Sequence, residues 1–164
     1  MNYFSCAAFW FFYWGVCVLC TGGDRKNLLG LRSYPEAVRR IVWQRAELSP
    51  YLPKEKSLPA ILLSNLLLFI VVFSVLGRVF KTVLGLTSYR AAFFYFLALG
   101  EGLGLFDLVV IDLLWWRNTK RIRFSFLPEK APYQDPQKHI SSFVRGIPLF
   151  AAVAAISAGI VSIL

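Results

Sequence analysis

The chain has 164 residues, 57% of them hydrophobic and 16% aromatic, with a formal net charge of +9. That apolar share exceeds the roughly 45–50% of soluble domains; one core in a chain this short has no room for several long apolar runs, which excludes a soluble fold and calls for a bilayer. The bases stand beside hydrophobic runs, so the positive-inside rule and anionic lipid headgroups account for them, and no nucleic-acid partner is expected.

The first apolar run spans residues 2–20. It has no basic residue before it and no small-residue cleavage site, so it reads as a true span rather than a signal peptide. Cys6, Cys17 and Cys20 all fall in it. An odd set inside a span is not a disulfide framework, and Cys17-x-x-Cys20 lacks the second pair a thiol relay needs. Residues 21–57 form a first polar segment. Its stretch 24–56 carries eight Lys/Arg against four Asp/Glu, which places it in the cytoplasm and the N-terminus outside.

Within that segment Ser33-Tyr34-Pro35-Glu36 predicts a helix over about 35–48, with Ser33 as the capping hydroxyl. Val38, Ile41, Val42 and the stem of Arg45 share one face. Such a basic amphipathic helix either lies on anionic headgroups of the inner leaflet or packs on the ends of the spans. The second span is expected at 58–76, opened by Pro59. Residues 77–90 carry three bases and no acid and form the outer connection, either a loop or a re-entrant piece.

The third run, 91–116, is longer than a span requires. It contains Gly100-Glu101-Gly102-Leu103-Gly104, so it is either one tilted helix or a helix broken near the glycines. Residues 117–145 form the second cytoplasmic segment, with seven Lys/Arg and two acids. Residues 120–126 alternate roughly and suggest a short extended stretch, and three prolines forbid a long helix. The last span, 146–164, leaves the C-terminus outside. Ala151, Ala155 and Gly159 repeat every four residues, as do Ala154, Ala158 and Ser162, a pattern for close helix packing. The partner of that face is either the glycine stretch of the third span, with Gly100 and Gly104, or another protomer. The expected fold is one all-α membrane domain over 1–164, with four transmembrane helices in a bundle plus the amphipathic cytoplasmic helix.

Glu101, Asp107 and Asp112 are the candidates for an ion or proton path. An acid at a span centre costs roughly 2.5–3.5 kcal/mol on insertion scales and needs a partner, water or a proton. On an α-helix Glu101 and Asp112 lie within about 20° of one another, roughly 16 Å apart along the axis, with Asp107 about 120° away. The alternative is structural pairing: Asp112 with Arg117, Arg121 or the first basic segment, and Glu101 with Arg90. Glu129, Tyr133 and His139 are candidates for a cytoplasm-facing site, alongside Asp135. No phosphate loop, nucleophile elbow or metalloprotease motif occurs, and there is one His, so neither metal nor cofactor is expected.

Asn27 through Ser33-Tyr34-Pro35, Phe106-Asp107-x-x-Val110-Ile111-Asp112 leading into Trp115-Trp116, and then Pro128-Glu129, Tyr133 and His139 make up a combination that resembles a family of uncharacterised small bacterial membrane proteins. The resemblance covers about half the chain. It implies an all-helical fold in the bacterial cytoplasmic membrane, and no activity. Three functions are expected to compete. The first is a small transport or channel-like protein, oligomeric or within a larger complex, using the span carboxylates. The second is a membrane-embedded enzyme at the inner lipid interface that uses Asp112, Glu129 and His139. The third is a non-catalytic accessory subunit.

Overall fold

Long apolar runs bounded by Pro, Gly and charged residues become helices here because only a helix satisfies its own backbone polar groups over such lengths. A computed structural model describes residues 3–54 and 56–163. It is 75% helix, without strands among the described residues. In chain order the helices are α1 (Tyr3–Leu19), α2 (Asp24–Leu29), α3 (Glu36–Trp43), α4 (Leu58–Val79), α5 (Tyr89–Phe106) and α6 (Gln137–Ile163). A π-wound segment, Asp107–Trp116, continues α5 without interruption. Three helices are long and apolar enough to cross a membrane: α4, α5 with its π-wound continuation, and the one containing α6. The first apolar helix is shorter; its 17 residues reach about 26 Å at roughly 1.5 Å per residue.

Several expectations are refined. Pro59 does open α4, which runs on to Val79. The connection after it is a short turn, with Gly85 at φ +66°, and α5 starts at Tyr89. Gly100 and its neighbours do not break α5; the change of winding comes later, at Asp107. Where Ser33 was expected to cap a helix, the cap position is Pro35 and no side chain bonds there; Ser33 lies in a preceding 3₁₀ turn. That helix stops at Trp43, and a second 3₁₀ stretch covers Ala46–Tyr51. The alternating stretch 120–126 forms turns and a single bridge between Phe124 and Leu127. Leu164, the last residue of the fourth expected span, lies outside the described residues.

The chain divides into two compact units. The first comprises the described parts of residues 1–9, 56–105 and 144–164. Its core is made by Phe73, Phe96, Leu99, Val153, Ala154, Ala158 and Val161. Phe73 and Phe96 stack at 5.6 Å, and Phe69 meets Phe150 edge-on at 4.9 Å. Two glycines make this packing possible. A Cβ on Gly100 would lie 2.7 Å from the Phe150 ring, and one on Gly77 would lie 2.5 Å from the Phe96 ring and 2.8 Å from Val161. Of the small residues of α6, Ala154, Ser157 and Ala158 are fully buried; Ala151, Ala155 and Gly159 are half-buried. The outer face of α4 stays bare, with Val71 60% and Val75 57% exposed.

The second unit comprises the described parts of residues 10–55 and 106–143. The two basic segments fold together in it. Leu28, Leu31, Tyr34, Val38, Val42, Trp116, Ile122, Phe124 and Tyr133 form one core. The apolar face of α3 therefore packs inside the unit through Val38 and Val42, and this accounts for its amphipathic pattern. Polar groups tie the segments together. Asn27, buried, donates to the Arg121 carbonyl (3.1 Å) and accepts from the Gly22 N–H (3.2 Å). The Tyr34 hydroxyl donates to the Ile122 carbonyl at 2.7 Å. Asp24 accepts from both the backbone N–H and the hydroxyl of Ser125.

Candidate functional site

The site is built where α1, the π-wound segment and the first turns of α6 meet in the second unit. Helix α1 ends there because its last carbonyls are taken by side chains, as an open helix end requires. Thr21 donates to the carbonyls of Cys17 and Val18, Arg121 Nε to Val18, and Lys26 Nζ to Leu19, at 3.0–3.1 Å. The last turn of the π-wound segment is held in the same way. Asn118 donates to the Leu114 carbonyl and Gln134 to that of Arg117, both at 2.7 Å.

The π-winding decides which side chains share a face. Its hydrogen bonds link residue i+5 to residue i, as from the Arg117 N–H to the Asp112 carbonyl at 3.2 Å. Residues five apart, about 140° apart around an α-helix, are then brought nearly above one another. Asp107 and Asp112 are five apart. Both line one cavity of about 260 Å³. The straight-helix expectation paired Glu101 with Asp112 instead. Glu101 belongs to the other unit and is absent from this lining.

The Asp112 carboxylate does not pair with arginine. His139 Nδ1 donates to Asp112 Oδ2 at 2.8 Å, with the two side chains only 5% and 16% exposed. Trp116 packs edge-on against the imidazole at 5.0 Å. With Nδ1–H committed to the carboxylate, the neutral ring offers Nε2 as an acceptor. Nε2 is buried and makes no hydrogen bond among the described residues. The remaining wall includes Tyr13, Cys17, Cys20, Lys26, Tyr34, Trp115 and Lys138. Tyr13 and Cys17 stand one turn apart on α1. Cys17 and Cys20 are free thiols.

The other sequence candidates have different places. Tyr133 is buried in the aromatic core; its hydroxyl donates to the Leu127 carbonyl (2.9 Å) and accepts from the Phe124 N–H (3.1 Å). Glu129 is exposed and outside the cavity. Asp135 accepts from the backbone N–H of Gln137 at the start of α6. Burial pushes the Tyr34 hydroxyl well above its usual range, with Tyr133 and Asp24 adding to the shift. Burial also raises Tyr133. These two tyrosines are neutral structural groups. Among the described residues no group of three His, Cys, Asp or Glu side chains could hold a metal ion.

Sequence reasoning put Asp112 with Asp107 on a path and with Glu129 and His139 in an interface enzyme, but did not bring Asp107, Asp112 and His139 into one site. It missed Tyr13 and Lys138, and gave Cys17 no part in a site with the acids. The five-residue spacing of the two aspartates carries the pattern only once the winding is known. No family model, curated protein or solved structure matches the chain.

Proposed function

We propose that the chain is a multi-pass protein of the cytoplasmic membrane, with four spans and both termini outside. It takes up a small cationic solute from the cytoplasmic side through the Asp107–Asp112–His139 cavity, as part of transport. The observation that carries this reading is the presence of two carboxylates, one bonded to a buried histidine, on the wall of a single small cavity. Two carboxylates in so small a space need a counter-charge or a proton, and a bound cation supplies the counter-charge. Tyr13, Tyr34, Trp115 and Trp116 add ring faces that attract a cation. The bare apolar face of α4 and the lengths of the three long helices support insertion. The two basic segments fold on each other, which supports placing them on one side of the membrane; their charge favours the cytoplasm and contact with anionic headgroups.

The test is uptake of labelled ethanolamine by the purified protein in liposomes, with internal pH followed in parallel. Uptake that falls at least tenfold in Asp107→Asn and Asp112→Asn, and persists in Glu129→Gln, is the expected result. No uptake above empty liposomes contradicts the reading. Labelling of a cysteine introduced in residues 24–56 from outside intact cells contradicts the orientation.

A second reading has one specific observation in its favour. A carboxylate-held imidazole is also the arrangement of a general base, as a lipid-modifying enzyme at the inner interface would need. Glu129, the third residue expected for such an enzyme, stands apart. Turnover of a phospholipid in the same liposomes, lost in His139→Gln, would favour this reading over transport.

A further inference from the structure

The cavity wall carries charges of both signs: Asp107 and Asp112 on the π-wound segment, Lys26 on α2 and Lys138 in the first turn of α6. His139 is only 5% exposed, and its Nε2 has no hydrogen-bond partner among the described residues. Held as an acceptor by the bond from Nδ1 to Asp112, that nitrogen asks for a hydrogen-bond donor. An ammonium group supplies the donor and the charge together. Lys26 and Lys138 on the same wall suit an anion.

We infer that the cavity binds a zwitterion: an ammonium seated between Asp107 and His139, with a phosphate a few atoms away beside Lys26 and Lys138. The volume, about 260 Å³, lies below the roughly 300–1,000 Å³ of sites for drug-sized ligands and suits a group the size of phosphoethanolamine. That chemistry has two sources, a free phosphoamine or the headgroup of a zwitterionic phospholipid. The inference rests on the cation-uptake reading and deepens it by adding the anionic half of the ligand.

Cys17 and Cys20 line the cavity as free thiols, and Cys6 is buried, so the site carries its own reporter. The protein is placed in nanodiscs of phosphatidylglycerol alone, and alkylation of Cys17 and Cys20 by N-ethylmaleimide is followed by mass spectrometry. O-phosphoethanolamine, ethanolamine and inorganic phosphate are titrated in turn. The expected result is protection by phosphoethanolamine at a concentration at least tenfold below that needed for either half alone, which identifies a free solute. Protection without additive in nanodiscs containing phosphatidylethanolamine, relative to phosphatidylglycerol alone, identifies the lipid headgroup. Lys138→Gln is expected to abolish the advantage over ethanolamine, while Asp107→Asn weakens both. The comparison among the three additives in the wild-type protein decides the matter even where a variant fails to fold. Ethanolamine protecting as well as phosphoethanolamine overturns the zwitterion and leaves cation uptake standing. Phosphate alone protecting as well makes the cavity an anion site and overturns the inference. Protection by none of the three, with no headgroup effect, overturns it too; liposome uptake of ethanolamine then shows separately whether the underlying reading survives.

Discussion

The two units of this chain are stabilised by different physics. The first is held by close approach of apolar helices: Gly100 takes the Phe150 ring, Gly77 takes Phe96, and the polar Ser157 reaches only the Ile70 carbonyl, at 3.5 Å. The second is held by an aromatic core and by side chains that satisfy backbone groups of irregular segments, with Asn27, Tyr34, Tyr133 and Gln134 each bonded to the main chain. The contrast separates roles as well. A unit built on polar caps can leave buried polar groups on the wall of a cavity, as the second does. The Asp112–His139 pair lies in the second.

That division predicts where substitutions act. The largest loss of stability is expected from emptying either core. Phe73→Ala in the first unit and Trp116→Ala in the second should each cost about 3–5 kcal/mol, measured by urea unfolding in micelles. Trp116→Ala should also disturb the site, since the ring packs on His139, whereas Phe73→Ala should leave ligand protection of Cys17 intact in the folded fraction. Next come changes that touch one unit's own device. Gly100→Val should cost about 1–3 kcal/mol by overpacking against Phe150. Asn27→Ala should cost a similar 1–3 kcal/mol by leaving the Gly22 N–H and Arg121 carbonyl without their partner. Equal sensitivity of both units to polar substitutions would break the comparison.

A smaller effect is expected from alkaline pH. The folded-state values of Tyr34 and Tyr133 lie above the ordinary tyrosine value of about 10. The neutral hydroxyls therefore contribute stability that is complete below that ordinary value and is lost as pH rises from it toward the folded values. Thermal unfolding followed from about pH 8 to about pH 11 should fall more steeply in the wild type than in a Tyr34→Phe, Tyr133→Phe variant. Identical slopes would remove these groups from the account.

Much of this was legible in the sequence. Three apolar runs became long helices, Pro59 opened α4, and the third run held the two aspartates that line the cavity. The rest depended on information that spacing does not carry. The glycines around Gly100 read equally as a break or as a contact, and only the Phe150 ring decides for the contact. The Asp107 and Asp112 pattern was judged on an α-helical wheel, where five residues point apart; π-winding brings them together, and nothing in residue type announces it. Tyr133 resembled a site residue because it is polar and aromatic in a loop. Its hydroxyl is instead used up on the backbone of that same segment.

The chain has a single histidine, so nitrogen-15 labelling of histidine gives one imidazole whose two nitrogens report on the site directly. In lipid nanodiscs, His139 Nδ1 is predicted to carry its proton toward Asp112 and to keep its signal on adding O-phosphoethanolamine, while Nε2 shifts as it accepts from the ligand's ammonium. Signals from both nitrogens that stay unmoved at saturating ligand, or a proton found on Nε2 with Nδ1 bare, would contradict the claim that this pair is the heart of a binding site.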